Sequence, residues 1–284
     1  QSNDANYALD MGTSPTKAVL KDYYLRSKAV LAAARTEADI VYGDHPLQKF
    51  SVAWPAEQAG TRMAVLFFHG GWWKAGNKED RMFLAEALPG DGVAYVSVGY
   101  PLMPDARLRT LADSAMLAVD AVVKHLESVV GRRVPIVLAG NSAGAHLAAY
   151  ATGTLAGTEH DAAAHGIVGM CVASGLYDLA PMRECFANEW LQLGEDDLVD
   201  LAPIHRLPVA SLPMLVTAGA LEPQGFFDQQ AQYVERLCEA GARPDVYLAP
   251  GHDHFTLIGE FGRTGSPLYE WLLERRAPAS GTSV

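Results

Sequence analysis

The sequence predicts a single α/β domain built on a mostly parallel β-sheet with helices on both faces. Short, almost continuously apolar runs at residues 63–68 and 134–139 indicate strands that are buried on both sides. Helix-like segments separate such runs, and this alternation is typical of parallel strands joined by crossover helices. With 284 residues, 49% hydrophobic and 19% charged, the chain fits one large domain over residues 1–284.

The predicted elements follow in a regular order along the chain. Residues 15–36 repeat apolar side chains at three- and four-residue intervals, which predicts an N-terminal helix. Residues 40–42 and 50–54 are predicted as the first strands, entering the sheet antiparallel through a turn between them. The remaining strands are predicted at residues 63–68, 93–98, 134–139, 167–173, 213–219 and 245–249, and the main helices near 80–88, at 105–129 and directly after residue 142.

A serine stands in a glycine-flanked turn between a predicted strand and a predicted helix. The turn is Gly-Asn-Ser-Ala-Gly at residues 140–144. Its glycines allow the strand and the helix to approach closely, so that the hydroxyl is presented at the sheet edge. We predict Ser142 as a nucleophile, with the amide of Ala143 as one donor to the oxyanion of the intermediate.

A second glycine-rich turn, His-Gly-Gly-Trp-Trp at residues 69–73, follows the strand at 63–68. In acyl-transfer hydrolases such a turn aims backbone amides at the oxygen that becomes negative. The predicted donors are Gly71 and Trp72, beside Ala143. The alternative is that the two glycines only let the chain reverse and the tryptophans fill the core.

An acid and a base follow in the chain order serine, acid, histidine that this architecture uses. Glu222 stands just beyond the strand at 213–219 and is the predicted acid, and Asp228 on the following helix is the weaker candidate. The base belongs to Gly-His-Asp-His-Phe at 251–255, where the residues alone leave His252 and His254 open. A carboxylate at this place would fix the imidazole tautomer and stabilise the imidazolium.

Together these motifs resemble the α/β-hydrolase superfamily and, within it, the kynurenine formamidase (arylformamidase) branch. The branch has a His-Gly-Gly-Tyr-Trp turn, a Gly-His-Ser-Ala-Gly-Ala-His-Leu turn, a Ser-Gly-hydrophobic-Tyr/Phe-Asp-Leu-x-Pro segment and a late Asp-His-Phe, matched here at residues 69–73, 140–147, 174–181 and 253–255. The resemblance implies the α/β-hydrolase fold and an aryl formamide substrate. It favours His254, which precedes an aromatic residue, and it supports Glu222, since some bacterial relatives have Glu as the acid. Trp72 and Asn141 depart from the pattern, and because both flank the site they bear on the choice of substrate rather than on the chemistry.

Residues 178–212 interrupt the alternation and are rich in Pro, Asp, Glu and Leu. We predict that they form a short cap over the serine rather than a second domain. Aromatic residues from this segment and from the turns are expected to line the substrate pocket, with ordinary core packing as the alternative for each: Trp73, Tyr100, Phe186, Trp190 and Phe255.

Composition excludes several other classes of protein. A net charge of −11 argues against nucleic-acid or anionic-membrane partners, since both require a basic patch. No apolar run is long enough for a membrane helix and no signal pattern is seen, so a cytoplasmic location is expected. Three cysteines without metal-ligand spacing indicate neither a disulfide framework nor a zinc site. We expect a small-molecule substrate and no metal or organic cofactor, and a homodimer is left open.

Three functions are compatible with these motifs. The first is an arylformamidase-like amide hydrolase acting through an acyl-enzyme on N-formylkynurenine or a related metabolite. The second is a carboxylesterase or lactonase that uses the same triad on small aromatic esters, because leaving-group choice depends on pocket shape. The third is a non-hydrolytic member of the fold, which the intact set Ser142, Glu222 and His254 disfavours.

Overall fold

The computed structural model describes residues 3–33 and 35–276, and the centre of this part of the chain is a sheet of eight strands. The strands are β1 (Thr36–Val41), β2 (Lys49–Ala53), β3 (Met63–Phe68), β4 (Val93–Val98), β5 (Ile136–Asn141), β6 (Ile167–Ala173), β7 (Met214–Gly219) and β8 (Asp245–Ala249). They lie in the order β1-β2-β4-β3-β5-β6-β7-β8. The β1–β2 and β2–β4 pairs are antiparallel and the other pairs are parallel, which confirms the predicted sheet and its antiparallel entry.

Helices connect the strands and cover both faces of the sheet. They are α1 (Asp4–Tyr7), α2 (Ser14–Leu31), α3 (Leu108–Val130), α4 (Ala143–Leu155), α5 (Glu159–His165), α6 (Ala180–Arg183), α7 (Asn188–Leu191), α8 (Glu195–Asp200), α9 (Gln224–Glu239) and α10 (Pro267–Leu273). Every residue of β3, β4, β5 and β7 is buried, as expected for strands covered on both sides. Among the described helices, none is both long and apolar enough to cross a membrane.

The sheet separates two hydrophobic cores. Side chains of α3, α4 and α9 pack on one face, and those of α2, α10 and a 3-10 helix at Glu79–Ala85 pack on the other. Tyr23 of α2 stacks on Phe83 of the 3-10 helix, with ring centroids 4.0 Å apart and planes 8° from parallel. This contact anchors α2 next to the turn that follows β3.

The edge of the sheet where β3 and β5 end is the natural place for a binding site. β3 connects onward to β4 on one side and its neighbour β5 connects onward to β6 on the other, so the two connections diverge and open a crevice at the carboxyl ends of β3 and β5. Phe68 at the end of β3 is in register with Gly140 near the end of β5. The two glycine-rich turns identified in the sequence therefore leave the sheet side by side.

Two sequence predictions of local structure need correction. The N-terminal helix predicted to residue 36 ends at Leu31, because the chain must pair Thr36 with Ala53 in the sheet. The helix predicted near residues 80–88 is the 3-10 helix Glu79–Ala85, followed by a short 3-10 turn at Leu88–Asp91. The segment 178–212, which the sequence predicts as a short cap, contains the short helices α6, α7 and α8 and a 3-10 turn at Pro203–His205.

Candidate active site

Ser142 occupies the turn between β5 and α4 in a backbone conformation that few side chains adopt. Its φ is 56° and its ψ is −126°, which is strained for a residue other than glycine. Its amide donates to the carbonyl oxygen of Ala173 at 2.9 Å, and its own carbonyl oxygen accepts from the amide of His146 at 3.1 Å. The surrounding structure thus holds a strained serine in place, which is the geometry of a nucleophile elbow.

The two glycines of this turn are required by contact with the backbone. A Cβ atom at Gly140 would collide with the carbonyl of Gly144, the second residue of α4. A Cβ atom at Gly144 would collide with the carbonyl oxygen of Phe68 at the end of β3. The absence of side chains therefore brings β3, β5 and α4 together around Ser142.

His254 and Glu222 form a buried pair beside the serine. The His254 Nδ1 atom lies 2.8 Å from Glu222 Oε2, and the Glu222 side chain is 0% exposed. Since an ionised carboxylate only accepts, Nδ1 carries the hydrogen and Nε2 is left as the basic nitrogen. The other oxygen, Oε1, accepts from the Gly219 amide and from the Ser174 hydroxyl, both at 2.6 Å. The carboxylate is thereby fixed by three donors.

The competing acid and base lie elsewhere. Asp228 is on α9, where its carboxylate accepts from the side chain of Gln224 at 2.8 Å. His252 points its Nε2 toward Glu260, 3.6 Å from Oε1 of that carboxylate, and its Nδ1 is buried without a hydrogen-bond partner. Of the predicted candidates, the structure brings together Glu222 and His254.

The turn after β3 supplies unoccupied amides next to Ser142. Gly71, Trp72 and Trp73 have φ values of 127°, 55° and 56°, so the chain winds tightly in the left-handed region. The Gly71 carbonyl oxygen closes this turn by accepting from the amide of Ala75 at 2.9 Å. Within the described residues, the amides of Gly71, Trp72 and Ala143 donate to no protein acceptor. These are the amides that the sequence predicts as oxyanion donors.

Two side chains tie this turn to its surroundings. The Gly70 amide donates to the side-chain oxygen of Asn141 at 3.2 Å, which links the β3 turn directly to the residue before Ser142. Trp190 of α7 donates its indole N–H to the Trp72 carbonyl oxygen at 3.0 Å. Asn141 and Trp190 therefore restrain the turn, and neither role follows from their positions in the sequence.

Ser142 and His254 open onto a pocket of about 260 Å³. Its walls are largely apolar: Leu9, Met11 and Leu20 from the N-terminal segment face Trp72, Phe255 and Ile258. Asp80 and Arg81 of the 3-10 helix add the charged groups in the wall. The N-terminal residues and Arg81 were missed by the sequence analysis, since no motif marks them.

Of the five aromatic residues predicted to line the pocket, Phe255 does so. Trp73 and Tyr100 do not, because both are core residues with at most 1% exposure. Phe186 and Trp190 pack instead against Trp72, which separates them from the pocket, with the Phe186 and Trp72 ring centroids 5.0 Å apart.

Two other histidines near the site have structural hydrogen bonds. Burial lowers the pKa of His69 to about 3 and that of His146 to about 4, so both are neutral at physiological pH. His69 Nδ1 lies 2.8 Å from the Gly70 carbonyl oxygen, to which it donates. His146 accepts from the Trp73 indole at 3.2 Å and donates from Nε2 to the Leu201 carbonyl oxygen at 2.9 Å. In the described part of the chain, no cluster of His, Cys, Asp or Glu could hold a metal ion.

Comparison with known proteins places the chain in a family. A family with the alpha/beta hydrolase fold matches residues 65–258, which is more than half of the sequence. The protein therefore belongs to the α/β-hydrolase family, as its fold and the strained Ser142 turn also indicate.

Individual relatives refine the comparison. A kynurenine formamidase from Danio rerio is 29% identical over 232 residues, covering 80% of this chain and 77% of that protein, which confirms the resemblance to that branch. An isoprenylcysteine alpha-carbonyl methylesterase from Arabidopsis thaliana is 27% identical over 240 residues, with 77% of this chain and 56% of that protein covered. A crystal structure of a candidate thioesterase from Silicibacter sp. tm1040 superimposes with a TM-score of 0.82 at 25% identity, covering 94% of this chain and 97% of that one. The protein is thus a hydrolase with both formamidase and esterase relatives.

Proposed function

We propose that this protein is a serine hydrolase that cleaves an aryl formamide, such as N-formylkynurenine or a related metabolite, through an acyl-enzyme. Ser142 is the nucleophile, His254 the base and Glu222 the acid that orients the base. One observation carries the proposal. His254, in a buried contact of 2.8 Å with Glu222, lines the same pocket as the strained Ser142.

The reaction begins with acylation. His254 Nε2 takes the hydroxyl proton as Ser142 Oγ attacks the formyl carbon, and the carbonyl oxygen becomes an oxyanion. The free amides of Gly71, Trp72 and Ala143 are the donors for this oxyanion. Glu222 stabilises the imidazolium that forms.

The intermediate then collapses and is hydrolysed. The carbon–nitrogen bond breaks as His254 returns its proton to the leaving amine, which leaves a formyl ester on Ser142. Water, deprotonated by His254, attacks this ester, and its cleavage releases formate and restores the serine hydroxyl.

The pocket walls favour an aromatic leaving group. A formyl group is too small to contribute much binding energy, so recognition must come from the amine that leaves. Apolar side chains such as Leu9, Met11 and Phe255 suit a flat aryl ring. The similarity to a protein named kynurenine formamidase supports the same substrate class.

Ester hydrolysis is the second candidate function. It is favoured by the similarity to a protein named methylesterase and by a triad chemistry that acts on esters as readily as on amides. Whether the protein cleaves formamides or esters depends on the leaving group that the pocket accepts.

A paired assay tests the proposal. Formate release from N-formylkynurenine and hydrolysis of p-nitrophenyl acetate are measured on wild type, on Ser142→Ala and on Ser128→Ala, whose serine is exposed on α3. We expect Ser142→Ala to lower kcat by about a millionfold for both substrates, and Ser128→Ala to leave it unchanged. Rapid ester turnover without any formamide turnover would select the second candidate, and unchanged turnover in Ser142→Ala would overturn both.

A further inference from the structure

Arg81 places a positive charge in the wall of the Ser142 pocket without a protein counter-ion. It belongs to the 3-10 helix Glu79–Ala85 and lines the pocket together with Ser142 and His254. Its Nη1 donates to the carbonyl oxygen of Asp80 at 3.1 Å, and its Nε is buried with no hydrogen-bond partner. Among the residues that the structure describes, no carboxylate forms an ion pair with this guanidinium.

Among the described residues, the polar groups around Arg81 form no ion pair with it. Burial raises the pKa of Tyr23 to about 12 and raises that of Tyr100 further, so both hydroxyls are uncharged near pH 7. The Asp80 carboxylate lines the same pocket and attracts the guanidinium through space, but its side-chain hydrogen bond at 2.9 Å is with Asn77. Burial also lowers the pKa of Arg81, yet a guanidinium in a protein remains protonated.

Lys78, a neighbouring buried cation, has the hydrogen-bond and ion-pair partners that a structural charge normally has. Lys78 is 5% exposed, and its Nζ donates to Asp39 at 2.7 Å, to Ser51 at 3.1 Å and to Glu79 at 2.5 Å. Leaving a buried charge unpaired is unfavourable, so cations in protein interiors normally have such partners. Arg81 has no such carboxylate partner among the described residues, and it lines the pocket that an anion would enter.

We propose that Arg81 is the binding site for a carboxylate on the leaving group of the substrate. The planar guanidinium matches a carboxylate, and the apolar residues of the wall suit an aryl ring. Because Arg81 and Ser142 line the same pocket, one ligand in it can reach both side chains. The substrate class is thus a formamide or ester of an aryl amine or phenol that bears a carboxylate. This inference rests on the proposed function only in taking the Ser142 pocket as the catalytic one.

Matched esters separate this charge recognition from catalysis in general. We would compare kcat/KM for 4-acetoxybenzoate and for 4-acetoxybenzamide, which are similar in size but differ in charge. In Arg81→Met the ratio of the first to the second should fall about 10- to 100-fold, the value of a hydrogen-bonded contact to a charged group. Arg81→Lys should retain part of the ratio, since the charge is kept but the planar fork is lost. An unchanged ratio in Arg81→Met would overturn the proposal.

The matched control is Arg133→Met. Arg133 lies just before the amino-terminal end of β5, whereas the pocket lies at the carboxyl end. Its guanidinium pairs with Glu127 at 3.3 Å. This variant should keep the wild-type ratio, because its charge lies far from the pocket. A fall as large as that in Arg81→Met would show a general effect of net charge and would also overturn the proposal.

A thermal-shift titration with benzoate and benzamide at constant ionic strength requires no turnover. Benzoate should raise the Tm of wild type and of Arg133→Met, but not that of Arg81→Met, because a ligand stabilises the state that binds it. Arg81→Met is expected to fold, since it removes an unpaired buried charge. Equal benzoate shifts in wild type and Arg81→Met would refute the carboxylate site. A normal shift in a protein that does not cleave N-formylkynurenine would contradict the formamidase proposal and leave the carboxylate site supported.

Discussion

Replacing Glu222 by glutamine changes one atom of a carboxylate that three donors share. Oε1 accepts from the Gly219 amide and the Ser174 hydroxyl at 2.6 Å, and Oε2 accepts from His254 Nδ1 at 2.8 Å. A glutamine amide has one oxygen and one NH₂ group, so it cannot accept at both positions. Because two donors converge on the Oε1 position, the glutamine oxygen should occupy that position. The NH₂ group should then face His254.

The consequence is a change of tautomer. An NH₂ group facing Nδ1 requires that nitrogen to accept, so the ring hydrogen moves to Nε2 and blocks proton transfer from Ser142. We expect kcat to fall by on the order of 10⁴, as when a triad acid is replaced by its amide. KM should change little, because Glu222 is not part of the Ser142 pocket lining. The assay is steady-state hydrolysis of p-nitrophenyl acetate at pH 7.5, with thermal unfolding to verify the fold.

Asp228→Asn is the matched control for this experiment. Its carboxylate accepts from Gln224 on the exposed surface of α9, so kcat should stay within about twofold of wild type. A folded Glu222→Gln enzyme that keeps kcat within about tenfold would refute the assigned role. A large loss in Asp228→Asn instead would identify Asp228 as the acid.

Three further predictions concern the base, the oxyanion turn and stability. His254→Ala should abolish hydrolysis of both esters and formamides, whereas His252→Ala should keep kcat within about tenfold; equal losses would contradict the choice of base. Trp190→Phe removes the hydrogen bond to the Trp72 carbonyl and should lower kcat about fivefold through a looser turn, with KM for a small ester unchanged. The folded-state pKa of His146, about 4, lies below its unfolded value near 6.5, so the unfolded chain binds more protons between these limits. The free energy of unfolding should therefore decrease as the pH falls below 6.5. At pH 5 the contribution of His146 to this decrease should be on the order of 2 kcal/mol. His146→Gln should reduce that slope in urea unfolding at pH 7.5 and 5.0, and an unchanged slope would exclude His146 as its source.

The strands were the most predictable part of the fold. Runs such as that of β3 are apolar at every position because both faces of a parallel sheet are covered, and this pattern is visible in the sequence. The end of α2 was not predictable, since Ala32 and Ala33 carry no stop signal and sheet pairing at Thr36 sets the limit. The 3-10 helix Glu79–Ala85 resembles an α-helix in composition, because local propensity does not separate the two in so short a segment.

The site was predictable where a motif imposes a local conformation. The elbow at Ser142 depends on its own glycines, and the contact of His254 with Glu222 follows the expected chain order. The pocket walls were not predictable in this way. Trp73 stands next to the predicted oxyanion donors, yet its backbone turns its ring into the core against His146. Side-chain direction in a left-handed turn depends on tertiary packing, which a motif does not describe.

The pocket wall formed by Leu9, Met11 and Leu20 lies outside residues 65–258, the part of the chain that the family shares. Part of the pocket wall therefore belongs to a different stretch of sequence from Ser142, Glu222 and His254, whereas Arg81 and Phe255 belong to the shared stretch. Such a division lets substrate range diverge by substitutions in the N-terminal segment while the reaction machinery stays unchanged. For enzyme engineering, a library restricted to these three positions would vary leaving-group selectivity without altering the strained serine turn or its hydrogen-bond network.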